Sequence, residues 1–407
     1  LRVSSRQIIV VGGGAAGFFA AIAAAEAGAQ VMLLEKTARF LEKVRISGGG
    51  RCNVTHACFE PREFATRYPR GERALLAPFQ KFSAHDTVMW FAARGVTLKT
   101  EKDGRMFPTT DSSQTIVDCL MSAAEKAVVK LRLNCGVESI SKNPAGVFEL
   151  ILAGGEKISA DKILLATGGC RAAAAGQLAT SLGHTLAAPV PSLFTFQIGS
   201  PWLRALAGVA VAAEVSVPAA GLREGGPLLL THWGVSGPAI LKMSAWGART
   251  LHGLDYKFSL FVNWLPHLSV EKIAAEITSR RQKFPAKFLA NNSFAPLPLR
   301  LWEQLVLAAG IARETRCSVL TRAQIHALTQ QLARSEFSVI GKSLNKDEFV
   351  TCGGVKLGEI DFKTMESKVC PGLFFAGELL DIDGVTGGFN FQAAWTTGFL
   401  AGHALAA

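Results

Sequence analysis

Hydrophobic positions near the start of the chain come in short continuous blocks rather than in strict alternation. "QIIVV" at residues 7–11 is a β-branched run of the kind that fills a parallel strand buried on both faces. "GGGAAG" follows as a turn. "FFAAIAAAEAG" is a run of helix formers ending at Gly28, a C′ glycine, and "AQVMLLEK" is a second strand. This is a βαβ unit, and it opens a doubly wound α/β domain. Further on, "FSAHDTVMWFAARGV" and "DSSQTIVDCLMSAAEKA" read as helices, with Ser83 and either Asp111 or Ser112 as caps. "KLRLNCGVESISKN", "GVFELILAGGEKI" and "ADKILLATGG" read as strands separated by glycine pairs and Asn-Pro.

After "LGHTLAAPVPSL" the pattern changes. Residues 191–265 alternate prolines, glycines and short apolar strands, and end at a helix start with Ser236 as the expected N-cap and Pro238 in the first turn. Residues 269–335 then have helical periodicity, broken by "FPAKFLANNSFAPLP". From "NKDEFVTCGGV" the α/β pattern returns, with an apolar strand in "GLFFAGE" and a glycine-led terminal helix in "GGFNFQAAWTTGFLAGHALAA". The expected organisation is an insertion. Residues 1–190 and 351–407 build one α/β domain. Residues 191–268 and 336–350 form an inserted β-rich subdomain, and residues 269–335 an inserted helical subdomain.

Composition narrows the class. The 407 residues are 49% hydrophobic and 18% charged, a globular balance with room for two or three domains. The most apolar run is broken by Glu26, Gly28 and Gln30, so no membrane span is expected. The strand pattern begins without a secretory leader, which makes the cytoplasm the expected location. The eight cysteines are scattered without a CxxC pair or zinc spacing, and the eight histidines form no HxxxH or HExxH pattern. Reduced thiols and no metal follow. Net charge is +11, of which residues 269–342 hold +6, with eleven lysines and arginines against five acids. The plain reading is a solvated basic face; the alternative is a surface for nucleic acid or an anionic substrate.

The chemistry starts at Gly12-x-Gly14-x-x-Gly17. Gly12 permits the tight turn, Gly14 lets the backbone approach a pyrophosphate, and Gly17 lets the helix pack closely on the sheet. The helix N-terminus adds free N–H donors. Glu35, at the end of the next strand, is placed to accept from ribose hydroxyls. A dinucleotide site is expected. Three features choose FAD over NAD: the position of the fingerprint at the N-terminus, "ILLATGG", which resembles the ATG element of FAD-binding folds, and "GLFFAGELLDIDGVTGGFNFQAAW", which resembles the distal FAD fingerprint. In the last, the pair Gly377-Glu378 ends a strand, and Gly387-Gly388 opens a helix aimed at the flavin N1/C2 edge. A helix N-terminus there stabilises the negative charge of reduced flavin. No second GxGxxG follows a strand, so a transient NAD(P)H reductant would have to bind without one.

"ISGGGRCNVTH" at residues 46–56 admits a phosphate cradle, a thiol site or a metal site. Five residues separate Cys52 from Cys58, against four in flavin disulfide reductases, and an i/i+6 pair on a helix faces two ways. A buried structural thiol is the expectation for Cys52, with a flavin-side thiol of lowered pKa as the alternative. The stretch reads as a second wall of the cofactor cradle, with Cys52 and Asn53 beginning a helix. In the inserted region, His232 and Trp233 read as core or interface residues, with a substrate-side role as the alternative.

Together "VGGGAAG", "ISGGGRCNVT", "GRMFPTTDSS", "LLATGG", "LGHTLAAPVPSL", "THWGVSGPAIL", "TCGGVKLGEIDFKTMESK" and "GLFFAGELLDIDGVTGGFNFQAAWTTG" resemble the BaiN/YhiN-type FAD-dependent oxidoreductases, also called aminoacetone-oxidase-family flavoproteins. The resemblance implies an α/β fold: a Rossmann-like, two-dinucleotide-type FAD-binding domain with an inserted β-rich subdomain and a helical subdomain. It implies FAD contacts at Gly12, Gly14, Ala15, Ala16 and Gly17, and at Glu35, Lys36 and Lys43. It implies others at Ser47, Gly48, Gly49, Gly50, Arg51, Cys52 and Asn53, and at Val137, Thr167, Gly168, Gly377, Glu378, Gly388, Phe389, Asn390 and Phe391. Where many members carry a longer segment with a Gly-Ser-Thr-Gly-Asp-Gly run, this chain reads "TGGCRAAAAGQLATSLGH". That departure bears on substrate contacts, not on the cofactor, and the bile-acid-type reductase activity of one branch is not carried over. The expected function is hydride transfer between flavin N5 and a small-molecule substrate held between the FAD domain and the insert. Arg51, His56 and His232 are the acid–base candidates. The alternatives are a flavin-dependent tRNA-modifying enzyme and a non-catalytic flavin sensor.

Overall fold

The computed structural model describes residues 7–170, 173–343 and 350–407. Residues 1–6, Arg171 and Ala172 in the departing segment, and 344–349, where the α/β pattern was expected to return, lie outside the described residues. The chain divides into two compact units: residues 1–192 with 345–407, and residues 193–344.

The first unit is built on a seven-stranded sheet. Gln7–Val11 lies at its centre, paired in parallel with Gln30–Leu34 on one side and Lys162–Leu165 on the other. Lys130–Arg132 and Leu373–Phe375 extend it in parallel, and Glu366–Ser367 and Ile360–Asp361 close one edge antiparallel. Ile8, Ile9 and Val10 are fully buried because helices cover both faces of a parallel sheet. The helix Ala15–Glu26 is apolar almost all round and lies against the C-terminal helix Phe389–Ala406. Gly398 and Gly402 allow that approach: a Cβ on either would sit 2.5 Å from the carbonyl oxygen of Ala16 or Ala20. Phe19, on the first helix, is ringed by Phe82, Trp90, Phe91 and Trp395. An antiparallel ribbon, Leu186–Ser192 with Val350–Val355, completes this unit's connections.

Ser83 caps the helix Ala84–Ala92 in a full capping box with Asp86, and Ser112, not Asp111, caps Ser113–Lys126. Both are local pairings that the sequence already spells.

The second unit contains a closed six-stranded barrel. Around it run Thr195–Ile198, Gly234–Ser236, Leu222–Thr231, Ala210–Val217, Phe258–Asn263 and Ser335–Ser343. Ala210–Val217 buries alternate residues, the period expected of a barrel wall. Ser236 is not the cap of the helix Pro238–Trp246. It ends a strand, and Gly237 takes the N-cap position. Gly237 has φ +95°, and a Cβ there would lie 2.7 Å from the carbonyl oxygen of Pro227, so close passage between strands decides the residue. Helices Val270–Lys283, Leu299–Ala308 and Arg322–Arg334 form the rest of this unit around buried Trp302 and Leu328. Among the described residues no helix is long and apolar enough to cross a membrane.

Candidate functional site

The first wall of the site is the turn between the central strand and the first helix. Gly12 has φ +116°, and a Cβ on it would lie 2.3 Å from the carbonyl oxygen of Ala166. On Gly17 a Cβ would lie 1.9 Å from the carbonyl oxygen of Gly12. These two glycines are required by packing. Gly14 differs: its backbone is extended, and a Cβ there would meet nothing within 4 Å. It is the N-cap of a helix with no side-chain cap and no acid in its first turn, so the N–H groups of Ala15, Ala16 and Gly17 lack an intrahelical acceptor at the positive end of the helix.

Glu35 stands beside this turn. Its Oε2 accepts from the Gly13 N–H at 2.8 Å, and Oε1 accepts from the N–H and hydroxyl of Thr37, each at 2.9 Å. Gly13, the middle glycine of the run, was not among the expected contacts. A Cβ there would lie 2.5 Å from the Phe40 ring and 2.9 Å from Glu35 Cβ. Lys36 lies next to Gly136, one residue before Val137, where the strand Val137–Lys142 begins.

A second group collects behind the first. Thr167 and Gly168 follow the strand Lys162–Leu165. The Thr167 hydroxyl is buried without a partner, and Gly168 has φ +76° with open space before it. Glu378 Oε2 accepts from Lys43 Nζ at 2.7 Å, while Oε1 accepts from the Thr351 N–H at 2.8 Å. Gly377 donates to the Thr397 hydroxyl at 2.9 Å, and a Cβ on it would lie 2.9 Å from Ala16 Cβ. Lys43, Gly377, Glu378 and Ala16 thus come together from three separate stretches, and the Gly168-Gly169 pair adjoins them: a Cβ on Gly169 would lie 2.7 Å from Glu378 Oε1. Thr351 belongs with them and carries no sequence signal, because only its backbone is used.

The glycine run takes an unexpected form. Glu42–Gly50 begins as a helix but leaves helical geometry at Ser47, Gly48 and Gly49, both glycines having positive φ. Cys52 also has positive φ, at 60°, so Cys52 and Asn53 do not begin a helix. They lead into the short strand Thr55–His56. Consecutive glycines unwind the chain here, because nothing disfavours the left-handed region for them. Gly49 and Gly50 have nothing within 4 Å of a would-be Cβ. The Cys52 thiol is fully buried, and burial pushes its pKa up to about 12. Cys52 and Cys58 are both free thiols, and among the described residues no group of His, Cys, Asp and Glu is arranged to hold a metal. Arg51 is turned to the neighbouring hairpin. Its guanidinium pairs with Glu101 at 2.7 Å and lies 4.0 Å over the Phe107 ring.

The third wall is the start of the C-terminal helix. Gly388 has φ +93°, and a Cβ there would lie 2.5 Å from the carbonyl oxygen of Thr55. Asn53 joins the two segments: its amide, oriented to satisfy both ends, accepts from the Gly388 N–H at 2.9 Å and donates to Thr55 O at 3.0 Å. The helix has no side-chain cap and no acid in its first turn. Phe389 stacks on His56 at 4.9 Å and accepts from the Tyr68 hydroxyl at 2.6 Å through its carbonyl. Asn390 is spent on the preceding loop, bridging the N–H and carbonyl of Gly384, and Phe391 stacks on Trp395 at 5.5 Å. That loop is fixed in turn by Asp383, fully buried and held by Arg70 through Nε at 2.5 Å and through Nη2, with the Ser192 hydroxyl donating at 2.6 Å.

His56 Nε2 lies 3.0 Å from the carbonyl oxygen of Asp103 and therefore donates to it, leaving Nδ1 as a buried acceptor without a partner. Burial lowers its pKa. His232 and Trp233 belong to the second unit and are exposed, so neither is a core residue. Trp233 donates to the Thr195 hydroxyl at 3.3 Å. The two residues form the turn between the paired strands Leu222–Thr231 and Gly234–Ser236.

These residues fit FAD. Two uncapped helix N-termini, open space before Gly14 and Gly168, an unpartnered buried hydroxyl on Thr167 and a carboxylate on Glu35 are the donor and acceptor set a dinucleotide needs.

Known proteins agree with this architecture. The family model described as the HI0933-like protein Rossmann domain matches residues 6–404. A Clostridium scindens protein named 3-dehydro-bile acid delta(4,6)-reductase is 29% identical over 392 residues, 94% of each chain. An Escherichia coli protein named ribosomal RNA dihydrouridine synthase is 32% identical over 393 residues, 94% of this chain and 93% of its own. Among solved structures, the 3-ketosteroid-delta4-(5alpha)-dehydrogenase of Rhodococcus jostii superposes with a TM-score of 0.55 at 16% identity, covering 100% of this chain and 98% of its own, a likeness of fold.

Proposed function

The chain belongs to the HI0933-like Rossmann family, and from that premise we propose that this FAD-dependent oxidoreductase reduces a carbon–carbon double bond conjugated to a carbonyl group. The observation that carries the flavin part of this reading is the pair of uncapped helix N-termini at Gly14 and Gly388. FAD, when bound, supplies hydride transfer at the flavin. The remaining work falls to the chain. The Gly14 end would offer its N–H donors to a pyrophosphate, and Glu35, which accepts from Thr37, would hold ribose hydroxyls. The buried Thr167 hydroxyl would find its partner there. Lys43 holds positive charge beside Glu378, and Asn53 and Tyr68 fix the first turn of the C-terminal helix, whose positive end favours negative charge before it.

The substrate class is supported by the two relatives' names. One names a reductase of a 3-dehydro bile acid with double bonds at positions 4 and 6, the other a synthase of dihydrouridine. Chemically, both describe saturation of a double bond polarised by a nearby carbonyl. Such a bond takes a hydride at the carbon remote from the carbonyl and a proton at the carbon beside it. NADH or NADPH is the proposed reductant, bound without a glycine fingerprint of its own.

The test is anaerobic titration of the purified yellow protein with NADH and NADPH, followed by cyclohexenone, a 4-en-3-one steroid and uridine, with cyclohexene as control. Loss of the flavin band with a nicotinamide, and its return with a conjugated acceptor but not with cyclohexene, is expected. Protein that neither retains nor rebinds FAD, or reduced flavin that no conjugated acceptor reoxidises, would defeat the proposal.

A further inference from the structure

We propose that a cavity lined by the second unit binds a free quaternary ammonium compound. One wall is the outward face of the strand Ser335–Ser343. Side chains alternate along a strand, so Ser335, Phe337 and Val339 are buried while Glu336, Ser338 and Ile340 are exposed. The register slips beside Ile340: neighbouring Gln197 and Ile198 face Gly341 and Val339, which leaves Ile340 as the extra residue of a bulge. A bulge bends its strand and re-aims a side chain. Ile340 is 57% exposed, and a Cβ on Gly199 would lie 3.6 Å from its Cδ1.

The short helix Pro201–Arg204 supplies a second wall. Its Trp202 ring, half-buried, lies 5.4 Å from the Phe337 ring at 48°. Arg300, on the helix Leu299–Ala308, donates to the carbonyl of Ala205 just beyond Arg204 and ties this wall to that helix. Gln331, on the helix Arg322–Arg334, lines the space too, and its Oε1 accepts from the Ser335 hydroxyl at 3.1 Å. Between these elements lies a cavity of about 340 Å³, within the range of small-molecule sites. None of the residues assigned to the flavin cradle lines it.

The lining sets the chemistry of the ligand. Among the described residues no lysine or arginine lines the cavity, and Glu336 makes no ion pair: Arg334, two residues before it, lies 4.3 Å over the Phe261 ring instead. An anion would meet a like charge there. A cation meets one carboxylate and the rings of Trp202 and Phe337, and aromatic faces attract positive charge. Ile198, Ala308 and Ile340 add apolar wall. Such walls favour a charge spread over methyl groups, which has no N–H donors to leave unpaired. A primary ammonium, by contrast, carries three donors and is held strongly by water.

The test is saturation-transfer NMR on the FAD-loaded protein, titrated with choline, with its uncharged isostere 3,3-dimethylbutanol and with ethanolamine. Choline is expected to give a saturable signal, and the other two to bind about fivefold or more weaker. Glu336→Gln should weaken choline about fivefold and leave the isostere unchanged. Trp202→Leu should weaken choline roughly two- to fivefold. Ile340→Lys, at an exposed position, sets a competing cation beside Glu336 and repeats the test if the Trp202 variant fails to fold. No saturable choline signal, equal binding of the isostere, or variants that bind choline like the wild type would overturn the proposal. Binding confined to phosphatidylcholine vesicles would overturn it too, since the ligand would then be a lipid headgroup. These outcomes are independent of the reductase reading, which is tested at the flavin.

Discussion

Replacing Gly14 by alanine separates ligand space from packing. Its backbone is extended, at φ −91° and ψ −170°, a geometry open to any residue, and the new methyl would meet nothing within 4 Å. The chain should therefore fold as before. Alanine removes freedom from the unfolded state, worth about 0.4–1 kcal/mol, and is a poorer N-cap than glycine by a comparable amount, so the two offset. The methyl does, however, occupy the space before the helix N-terminus where the pyrophosphate is proposed to lie. Overpacking of a close-fitting site costs about 1–3 kcal/mol, or roughly 5- to 150-fold in affinity. Gly17→Ala is the contrast: its methyl would lie 1.9 Å from a backbone oxygen, so the turn itself must move. The apoprotein should lose about 3 kcal/mol or more. The assay is urea unfolding of flavin-free protein beside FAD titration by fluorescence quenching. The reasoning fails if Gly14→Ala binds FAD as tightly as the wild type, or if its apoprotein is as unstable as Gly17→Ala.

Three further outcomes follow from the site. With its pKa pushed up to about 12, the Cys52 thiol is inert at neutral pH, so iodoacetamide on the native protein should label half-buried Cys58 and Cys135 while sparing Cys52; peptide mass spectrometry showing Cys52 modified first would contradict this. Arg70→Ala leaves the buried Asp383 carboxylate without its cation and should cost roughly 3–5 kcal/mol in urea unfolding, with Asp383→Asn in that background recovering part of it; a loss under about 1 kcal/mol would refute the assignment. Burial lowers the His56 pKa below its unfolded value of about 6.5, so the unfolded chain takes up the proton first on acidification. Its contribution is complete above about pH 6.5 and is lost as pH falls toward the folded value. The melting-temperature gap between wild type and His56→Asn should therefore narrow on acidification, and a gap that widens would reverse the argument.

What could be read in advance follows the range of each interaction. The caps at Ser83 and Ser112 bond to groups two or three residues away, and the short βαβ run needs only local periodicity. Ser236 was expected as a cap by the same rule and failed, because the strand at Pro227 and Leu229 passes too close to Gly237 for any side chain. Cys52 and Asn53 were expected to start a helix, but the glycines before them turn the chain through the left-handed region. His232 and Trp233 were expected as core or interface residues; they are exposed in the turn between two barrel strands, so the core half of that reading falls. Barrel closure was not legible: it pairs Thr195–Ile198 with Ser335–Ser343, and no local pattern encodes a partner so distant.

The sequence alone determined the glycine turn, the Glu35 carboxylate beyond the second strand, and the glycine pair opening the last helix, since each depends on backbone geometry within a few residues. Only the tertiary structure decided which glycines make room for neighbours and which for a ligand: Gly12 and Gly17 pack against backbone, whereas Gly14 and Gly168 face open space. It also decided that Lys43, Glu378 and Thr351 meet. Periodicity reports which side of an element is covered; what covers it depends on how distant segments close on one another.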